Sequence, residues 1–289
     1  MLIFVDLGPP FSLSAFCGSS RISMNDAQFQ LHATIEETHW WFVGRRRILG
    51  AVIRSLIPSG TGAVIVDVGC GTGANIASLV DGYTCHGIDI SERAITFARE
   101  RFPDVRFSCG FGPADLDLER PADGLLFCDV LEHVESDFDL LATYLPALAD
   151  GGHIVLTVPA DPSLWSPQDE HHSHYLRYTL DRLQEAWRDL PLEPLLVSHF
   201  NARLYPIIKL IRVYTNWLGR PWGEADTDLI LPSPLANRFL TSLFAGEAPY
   251  LLRALDHPTR PPYHKGVSLL AVLQKKRRSA RAIPNESAL

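Results

Sequence analysis

The sequence lacks several features that would place it quickly in a functional class. It has no excess of basic residues, because 26 lysines and arginines face 33 aspartates and glutamates, for a formal net charge of −7. A protein that binds nucleic acid broadly needs a basic surface, so no nucleic-acid partner is expected. The first 23 residues are apolar in patches, but Asp6, Pro9 and Pro10 interrupt them. This segment fits neither a signal peptide nor a membrane span.

Paired cysteines are also lacking. The five cysteines form no CxxC motif. Three fall in predicted strands and one in a glycine-rich turn, which is typical of reduced, small apolar residues. We therefore expect a reducing compartment such as the cytoplasm. No internal repeat is visible, and 46% hydrophobic with 20% charged residues is typical of a globular protein.

The dominant feature present is the stretch AVIVDVGCGTGA at residues 63–74. A β-branched apolar run ends in the alternate glycines Gly69, Gly71 and Gly73, and a helical pattern follows. Such a run is typical of a strand buried on both faces of a parallel sheet. The glycines allow a sharp turn that brings bare backbone N–H groups against a ligand.

Strand and helix patterns alternate from this stretch onward. We predict helices over 74–80, 92–101, 137–149 and 180–189, and strands over 63–68, 84–90, 105–109, 124–130, 153–158, 193–200 and 267–273. Strands separated by helix-length segments predict an α/β fold with right-handed crossovers and a mostly parallel, doubly wound sheet.

The same patterns divide the chain into five segments. Residues 1–24 are interpreted as a loose extension or a start-site artefact, 25–60 as an N-terminal helical lid, 61–200 with 266–275 as the cofactor-binding core, 201–265 as a helical insertion, and 276–289 as a flexible tail. The insertion should hold two helices, at 204–218 and 235–255, the second broken at Pro249. Its aromatic residues Tyr205, Tyr214, Trp217 and Trp222 also suit peripheral contact with the inner membrane surface.

Two cofactor classes use a glycine-rich turn after the first strand. Gly69, Gly71 and Ala74 satisfy the G-x-G-x-x-G/A spacing of dinucleotide enzymes. Asp67 precedes these glycines, and a carboxylate there disfavours a pyrophosphate. It favours the cationic ammonium and sulfonium of S-adenosylmethionine. Asp89, which ends the second strand, can accept hydrogen bonds from ribose hydroxyls in either class.

Four motifs together resemble one enzyme family. VDVGCGTG, GIDIS, CDVLEHV and LADGGHIVLTVPA follow one another between about residues 63 and 160, in the order typical of class I S-adenosylmethionine-dependent methyltransferases. The resemblance implies a Rossmann-like sheet of seven strands with the last antiparallel, and S-adenosyl-L-methionine as cofactor. Carried over by position, it implies cofactor contacts from Asp67, Gly69, Cys70, Gly71, Gly73, Asp89, Ile90, Phe111, Cys128, Asp129 and Val130.

One position departs from the family pattern. After the third strand the family often has an acidic residue, commonly as Gly-Asp, that contacts the adenine amino group. Here the residues run from Cys109 through Phe111 to Asp115. We predict that Phe111 stacks against adenine, and Asp115 stays an alternative contact.

The acceptor side is predicted from residues beyond the fourth and fifth strands. His133 is the candidate general base, needed only if the acceptor carries a proton of high pKa; the alternative is a loop histidine that orients Glu132. Residues 164–179 resemble a W-S-x-x-D-x-x-x-x-H-x-R-R-Y-T stretch of a methyltransferase subgroup with quinone, lipid or glycan pathway members. No metal site is predicted, because the spacing matches no familiar one. The candidate substrate-binding residues are Trp40, Trp41, Trp165, His171, His174, Tyr175, Arg177 and Tyr178.

These patterns favour a methyltransferase that moves a methyl group to a small-molecule acceptor, chiefly a hydroxyl of a quinone-, lipid- or glycan-pathway compound. A carbon or nitrogen acceptor is the alternative to a hydroxyl. One alternative is an NAD(P)-dependent Rossmann oxidoreductase. The other is an S-adenosylmethionine-binding module without catalysis.

Overall fold

The computed structural model describes residues 35–166, 169–170, 172–218, 232–257 and 261–277. The strands are β1 Val64–Val68, β2 Thr84–Asp89, β3 Arg106–Cys109, β4 Ala122–Cys128, β5 Leu148–Pro159, β6 Leu192–Phe200 and β7 Ser268–Lys275. The helices are α1 Trp40–Leu56, α2 Ala74–Ala77, α3 Glu92–Arg101, α4 Asp137–Tyr144, α5 Leu180–Glu185, α6 Tyr205–Leu218, α7 Pro234–Ala245 and α8 Ala248–Asp256. The predicted extension 1–24, Trp222 and the tail beyond residue 277 lie outside the described residues.

The seven strands form one sheet in the order β3-β2-β1-β4-β5-β7-β6. Strands β1 to β5 pair in parallel, and β7 runs antiparallel to both β5 and β6. The predicted doubly wound sheet with an antiparallel last strand is therefore confirmed. The strand order reverses between β1 and β4, and the carboxyl ends of strands at such a switch point form the usual ligand crevice.

Apolar layers cover both faces of the sheet, as the continuous burial of β1 requires. One layer contains Ile48 of α1, Phe244 of α7 and Leu251 of α8. The other contains Leu140 of α4 and Leu183 of α5. The N-terminal helix and the insertion therefore share one face of the sheet.

Several helix boundaries differ from the prediction. The helix predicted over 137–149 ends at Tyr144, and a 3-10 turn at Leu145–Ala147 follows. Pro146 explains this end, because it has no N–H to donate to the carbonyl of Ala142 and so breaks the α-helical ladder. β5 then begins at Leu148, so Asp150 lies within a strand rather than at a helix end. The helix predicted over 180–189 ends at Glu185.

Within its described residues, the insertion contains three helices where two were predicted. The segment 235–255 forms α7 and α8, separated at Gly246 and Glu247. Pro249 lies in the first turn of α8, where its missing N–H has no helical partner to lose. The proline therefore starts a helix instead of breaking one.

Candidate functional site

The turn after β1 depends on its three glycines. Gly69, Gly71 and Gly73 have φ values of 69°, 53° and 88°, in the left-handed region that favours glycine. A Cβ on Gly73 would also lie 2.7 Å from Cζ of Phe107. The backbone N–H groups of Gly69 and Cys70 donate to Ile88 O at 2.8 and 3.0 Å, which fixes the turn against β2.

Asp67 is a buried acid without a hydrogen-bond donor among the described residues. It lies inside β1, within the strand predicted over 63–68, and is fully buried. Burial raises the pKa of Asp67 to about 7, and the charges of Glu36 and Asp89 add to the rise while Arg45 opposes it. An orphaned carboxylate is costly, and a ligand ammonium would supply both charge and donors. Asp67 therefore fits the methionyl ammonium.

Asp89 ends β2 and holds the turn in place. Its Oδ2 accepts from Gly71 N at 2.9 Å and its Oδ1 accepts from Ser91 N at 2.9 Å. Burial raises the pKa of Asp89, and the hydrogen bonds from Ser91 and Gly71 oppose the rise. Each oxygen keeps a second lone pair for a ribose hydroxyl.

A cavity at this edge of the sheet gathers many of the predicted cofactor residues. Cys70 and Cys128 instead bury their side chains in the apolar layer beside α1, and burial raises the pKa of both thiols well above its usual range. Tyr144, which the sequence patterns did not single out, joins the cavity from α4. The cavity is lined by Val68, Gly69, Ile88, Asp89, Ile90, Gly110, Phe111, Val130, Val134, Leu140 and Tyr144.

Phe111 stands at the rim of this cavity with 41% of its surface exposed. Its backbone is held on both sides, because Phe111 N donates to Asp115 Oδ2 at 3.0 Å and Tyr144 Oη donates to Phe111 O at 2.9 Å. Asp115 Oδ2 also accepts from Gly112 N at 3.1 Å. Asp115 thus shapes the loop that presents Phe111.

Asp129 follows β4 with a left-handed φ of 58°. Its carboxylate forms an ion pair with Arg45 of α1 and accepts from Thr157 Oγ1 at 3.1 Å. The Arg45 guanidinium lies 4.3 Å from the ring centroid of Trp41. Arg45 was missed at the sequence level, where it is one of three adjacent arginines without a distinguishing signal.

The segment before α1 is also joined to the glycine turn. Thr72 Oγ1 donates to the Glu36 carboxylate, and Arg101 Nη1 donates to Thr72 O at 3.0 Å. Arg101 also pairs with Glu37 at 2.6 Å. Trp40, in contrast, packs edge-on against Phe244 with ring centroids 6.1 Å apart. The Trp40 side chain therefore contributes to packing between α1 and α7.

Asp169 organises the loop after β5. It is 1% exposed and accepts from Ser166 N, His174 Nδ1 and Arg177 Nε, each at 2.9 Å. Burial favours a higher pKa for Asp169, but the hydrogen bonds and charges of His174 and Arg177 outweigh it and lower the pKa to about 2. Arg177 also donates to Ala160 O at 3.2 Å. Arg177, a predicted substrate-binding residue, is thus held by contacts within this loop and β5.

An acidic side chain, Glu132, and a basic one, His133, follow β4 and are both buried. Glu132 is 1% exposed, and neither of its carboxylate oxygens has a hydrogen-bond partner among the described residues. Burial, with Asp129 nearby, raises the pKa of Glu132 well above its usual range. His133 and His174 have ring centroids 4.7 Å apart, and burial together with His174 lowers the pKa of His133 to about 2. His133 is therefore a neutral imidazole and a weak base.

The remaining predicted substrate residues are spread between surface and core. Tyr175 is 56% exposed, and Trp165 Nε1 donates to Glu170 Oε1 at 3.3 Å. Tyr178 is fully buried and donates to Asp137 Oδ2 at 3.0 Å. The prediction that Tyr178 faces a substrate is corrected, because its ring has no exposed surface. His171 lies outside the described residues.

Comparison with known proteins places these motifs in one family. A family model described as a methyltransferase domain matches residues 43–203. Trans-aconitate 2-methyltransferase from Methylobacterium nodulans is 31% identical over 121 residues, which are 41% of this chain and 46% of that protein. The chain therefore matches less than half the length of this curated relative.

Solved structures show the same fold. The complex between the Haloferax volcanii Trm112 methyltransferase activator and a putative methyltransferase aligns with a TM-score of 0.54 and 19% identity, over 88% of this chain and 96% of that one. The plantazolicin methyltransferase BpumL, in complex with a desmethyl analogue and SAH, aligns with a TM-score of 0.53 and 17% identity, over 87% and 91% of the two chains.

Proposed function

The chain belongs to the methyltransferase-domain family and S-adenosylmethionine is its methyl donor, and on that premise we propose that it methylates a hydroxyl group of a small molecule. A quinone-, lipid- or glycan-pathway compound is the proposed acceptor class. Family membership removes the NAD(P)-dependent oxidoreductase alternative.

The single observation that carries the donor site is the Asp67 carboxylate, which is buried beside three left-handed glycines and has no hydrogen-bond donor in the part of the chain that the structure describes. Asp67 takes the methionyl ammonium, Asp89 takes the ribose hydroxyls, and Phe111 stacks against adenine. Residues 25–60 act as a lid over this site. The contact of Arg45 with Asp129 supports the lid, because it joins α1 to the carboxyl end of β4.

The transfer is a displacement at the methyl carbon. A lone pair of the acceptor oxygen forms the new O–C bond, the C–S bond breaks, and its electron pair returns to sulfur as a neutral thioether. The hydroxyl proton passes to water. The residues accelerate this step by aligning acceptor, methyl and sulfur and by excluding water from between the acceptor oxygen and the methyl carbon. His133 is 5% exposed and neutral, so we assign it no uptake of that proton in this step.

Calorimetry with S-adenosylhomocysteine tests the donor site. Wild-type protein should bind it, and Asp89→Ala should abolish measurable binding, because the ribose and the turn both lose their acceptor. Asp104→Ala removes an exposed carboxylate and is the matched control. Unchanged binding by Asp89→Ala would contradict the assignment.

The acceptor is tested with labelled cofactor and fractions of a cell extract, followed by mass spectrometry of the product. A methylated hydroxyl on a small molecule supports the proposal. Label only in protein or nucleic acid contradicts it. Binding of S-adenosylhomocysteine without any labelled product favours the module that binds but does not catalyse.

A second proposal concerns peripheral membrane contact through residues 201–265. Among the described residues, no helix combines the length and the apolar character needed to cross a bilayer. Helix α6 nevertheless exposes Ile207, Leu210, Val213 and Tyr214 by 59, 72, 56 and 49%. Liposome flotation should show wild-type protein in the floating fraction and loss of that fraction in Leu210→Asp. If wild-type protein does not float with neutral or anionic vesicles, the contact does not exist.

A further inference from the structure

Methyl transfer does not account for the surroundings of Glu132. Its side chain is 1% exposed, and neither carboxylate oxygen has a hydrogen-bond partner among the described residues. A carboxylate removed from water is costly unless it is paired or coordinates a metal. Arg45 donates through Nη1 to Asp129, and neither oxygen of Glu132 accepts from its guanidinium. We therefore expect Glu132 to face a bound cation rather than a charged side chain.

Two imidazoles complete a ligand set around this carboxylate. One ligand atom from each of Glu132, His133 and His174 can be chosen so that all three lie within 4.8 Å of one another. Two ligands of one tetrahedral zinc ion lie about 3.4 Å apart. A small side-chain movement therefore brings all three onto one ion.

Asp169 provides a second observation that points to a metal. It accepts from His174 Nδ1 at 2.9 Å and is itself held by Arg177 Nε at 2.9 Å. Histidines that bind metals through one ring nitrogen usually donate the other N–H to such a carboxylate, which fixes the ring orientation. This contact leaves the other nitrogen of His174 for a ligand.

We propose that Glu132, His133 and His174 bind one divalent transition-metal ion of the zinc class, with Asp169 as a positioning residue. Two imidazoles and one carboxylate form a ligand set that suits Zn²⁺ and leaves a coordination position open. The use of that position rests on the proposed function: it takes the acceptor hydroxyl, lowers its pKa and promotes release of the proton to water. The oxygen then forms its bond to the methyl carbon while the C–S electron pair returns to sulfur.

Metal binding can be measured without any methyl transfer. Full-length protein, stripped with a chelator, is titrated with Zn²⁺ by calorimetry, and bound metal is counted by mass spectrometry. One ion per chain is expected. Glu132→Gln and His174→Ala should each weaken binding by about 100-fold or more, and Asp169→Asn by about 10- to 100-fold. His257→Ala removes an exposed histidine after α8 and should bind like wild type.

Two further measurements separate failure of the metal site from failure of the fold or the donor site. Binding of S-adenosylhomocysteine reports the fold and the donor site of each variant, so its loss would mark a failure of the proposed function rather than of the metal site. Co²⁺ in place of Zn²⁺ should give visible d–d bands that Glu132→Gln alters. Intense thiolate bands would place the ion on a cysteine and overturn the proposal. Wild-type protein that binds S-adenosylhomocysteine but no Zn²⁺ would overturn it as well.

Discussion

Arg45 and Asp129 form a buried ion pair that joins the N-terminal helix to the carboxyl end of β4. The Arg45 side chain is 1% exposed and that of Asp129 is 14% exposed. The guanidinium also lies over the Trp41 ring, and Thr157 holds the other Asp129 oxygen. The pair therefore couples packing of α1 to the backbone that borders the cofactor cavity.

Arg45→Met should lower the free energy of unfolding by about 3–5 kcal/mol, because it leaves a buried carboxylate unpaired. Urea denaturation measures this change. The double variant with Asp129→Asn should lose less than the sum of the single changes. The matched control is Arg106→Ala, whose partner Glu119 lies 3.9 Å away with both side chains mostly exposed. Arg106→Ala should change the free energy of unfolding by no more than about 0.5 kcal/mol. An equal loss of stability in Arg45→Met and Arg106→Ala would contradict the coupling.

Asp67 should make cofactor affinity depend on pH. Its folded pKa is about 7, whereas a ligand ammonium favours the ionised form. Below pH 7 binding must first remove a proton, so affinity for S-adenosylhomocysteine should fall by up to about tenfold per pH unit. Calorimetry between pH 5.5 and 8 in buffers of different ionisation enthalpy should show proton release. Asp67→Asn should bind weakly with no such slope.

The same carboxylate should destabilise the cofactor-free fold at high pH. Its pKa rises from an ordinary 3.8 to about 7 on folding, so between these values the unfolded chain is ionised while the folded one stays protonated. The folded state therefore loses stability as pH rises through this window, by on the order of 4 kcal/mol in total. Relative to wild type, Asp67→Asn should gain stability from pH 4 to pH 7.5 in urea denaturation. A constant difference between the two proteins would refute the shifted pKa.

Gly73→Ala should be more costly than an ordinary glycine substitution. Its left-handed φ of 88° alone costs an alanine about 1–2 kcal/mol, and the contact with Phe107 at 2.7 Å adds about 1–3 kcal/mol. Gly60→Ala isolates the first contribution, since Gly60 has a φ of 76° and a Cβ there meets nothing within 4 Å. Denaturation midpoints should therefore fall further for Gly73→Ala. Equal midpoints for Gly73→Ala and Gly60→Ala would mean that the Phe107 side chain moves aside without loss of stability.

Tyr178→Phe separates a structural role from a substrate role. The variant loses the hydrogen bond to Asp137, which keeps its ion pair with Arg182 at 2.8 Å. We expect a loss of about 1.5 kcal/mol in unfolding free energy with unchanged kcat/KM. Tyr175→Phe, at an exposed ring, should leave stability unaltered. A selective rise in KM for Tyr178→Phe would restore its predicted contact with substrate.

Much of the fold and of the donor site could be predicted from local patterns. The β-branched run before Gly69, the alternate glycines and the carboxylates Asp67 and Asp89 lie close together along the chain. Strand burial, turn conformation and helix start are set by neighbouring residues, so spacing alone carries the information. The early end of α4 could also have been predicted, because Pro146 is visible in the sequence.

By itself, then, the sequence determined the strand–turn–helix unit, the alternation of strands and helices and the chemistry of the methyl donor. Only the tertiary structure decided which charged side chains pair with one another. Arg45 pairs with Asp129, which lies 84 positions away in the sequence. Asp169 pairs with Arg177, which was predicted to bind the substrate. His174 likewise meets Glu132 and His133 through the loop after β5. No local spacing encodes the contact of Arg45 with Asp129 or of His174 with Glu132, because both depend on how the sheet brings distant strand ends to one edge.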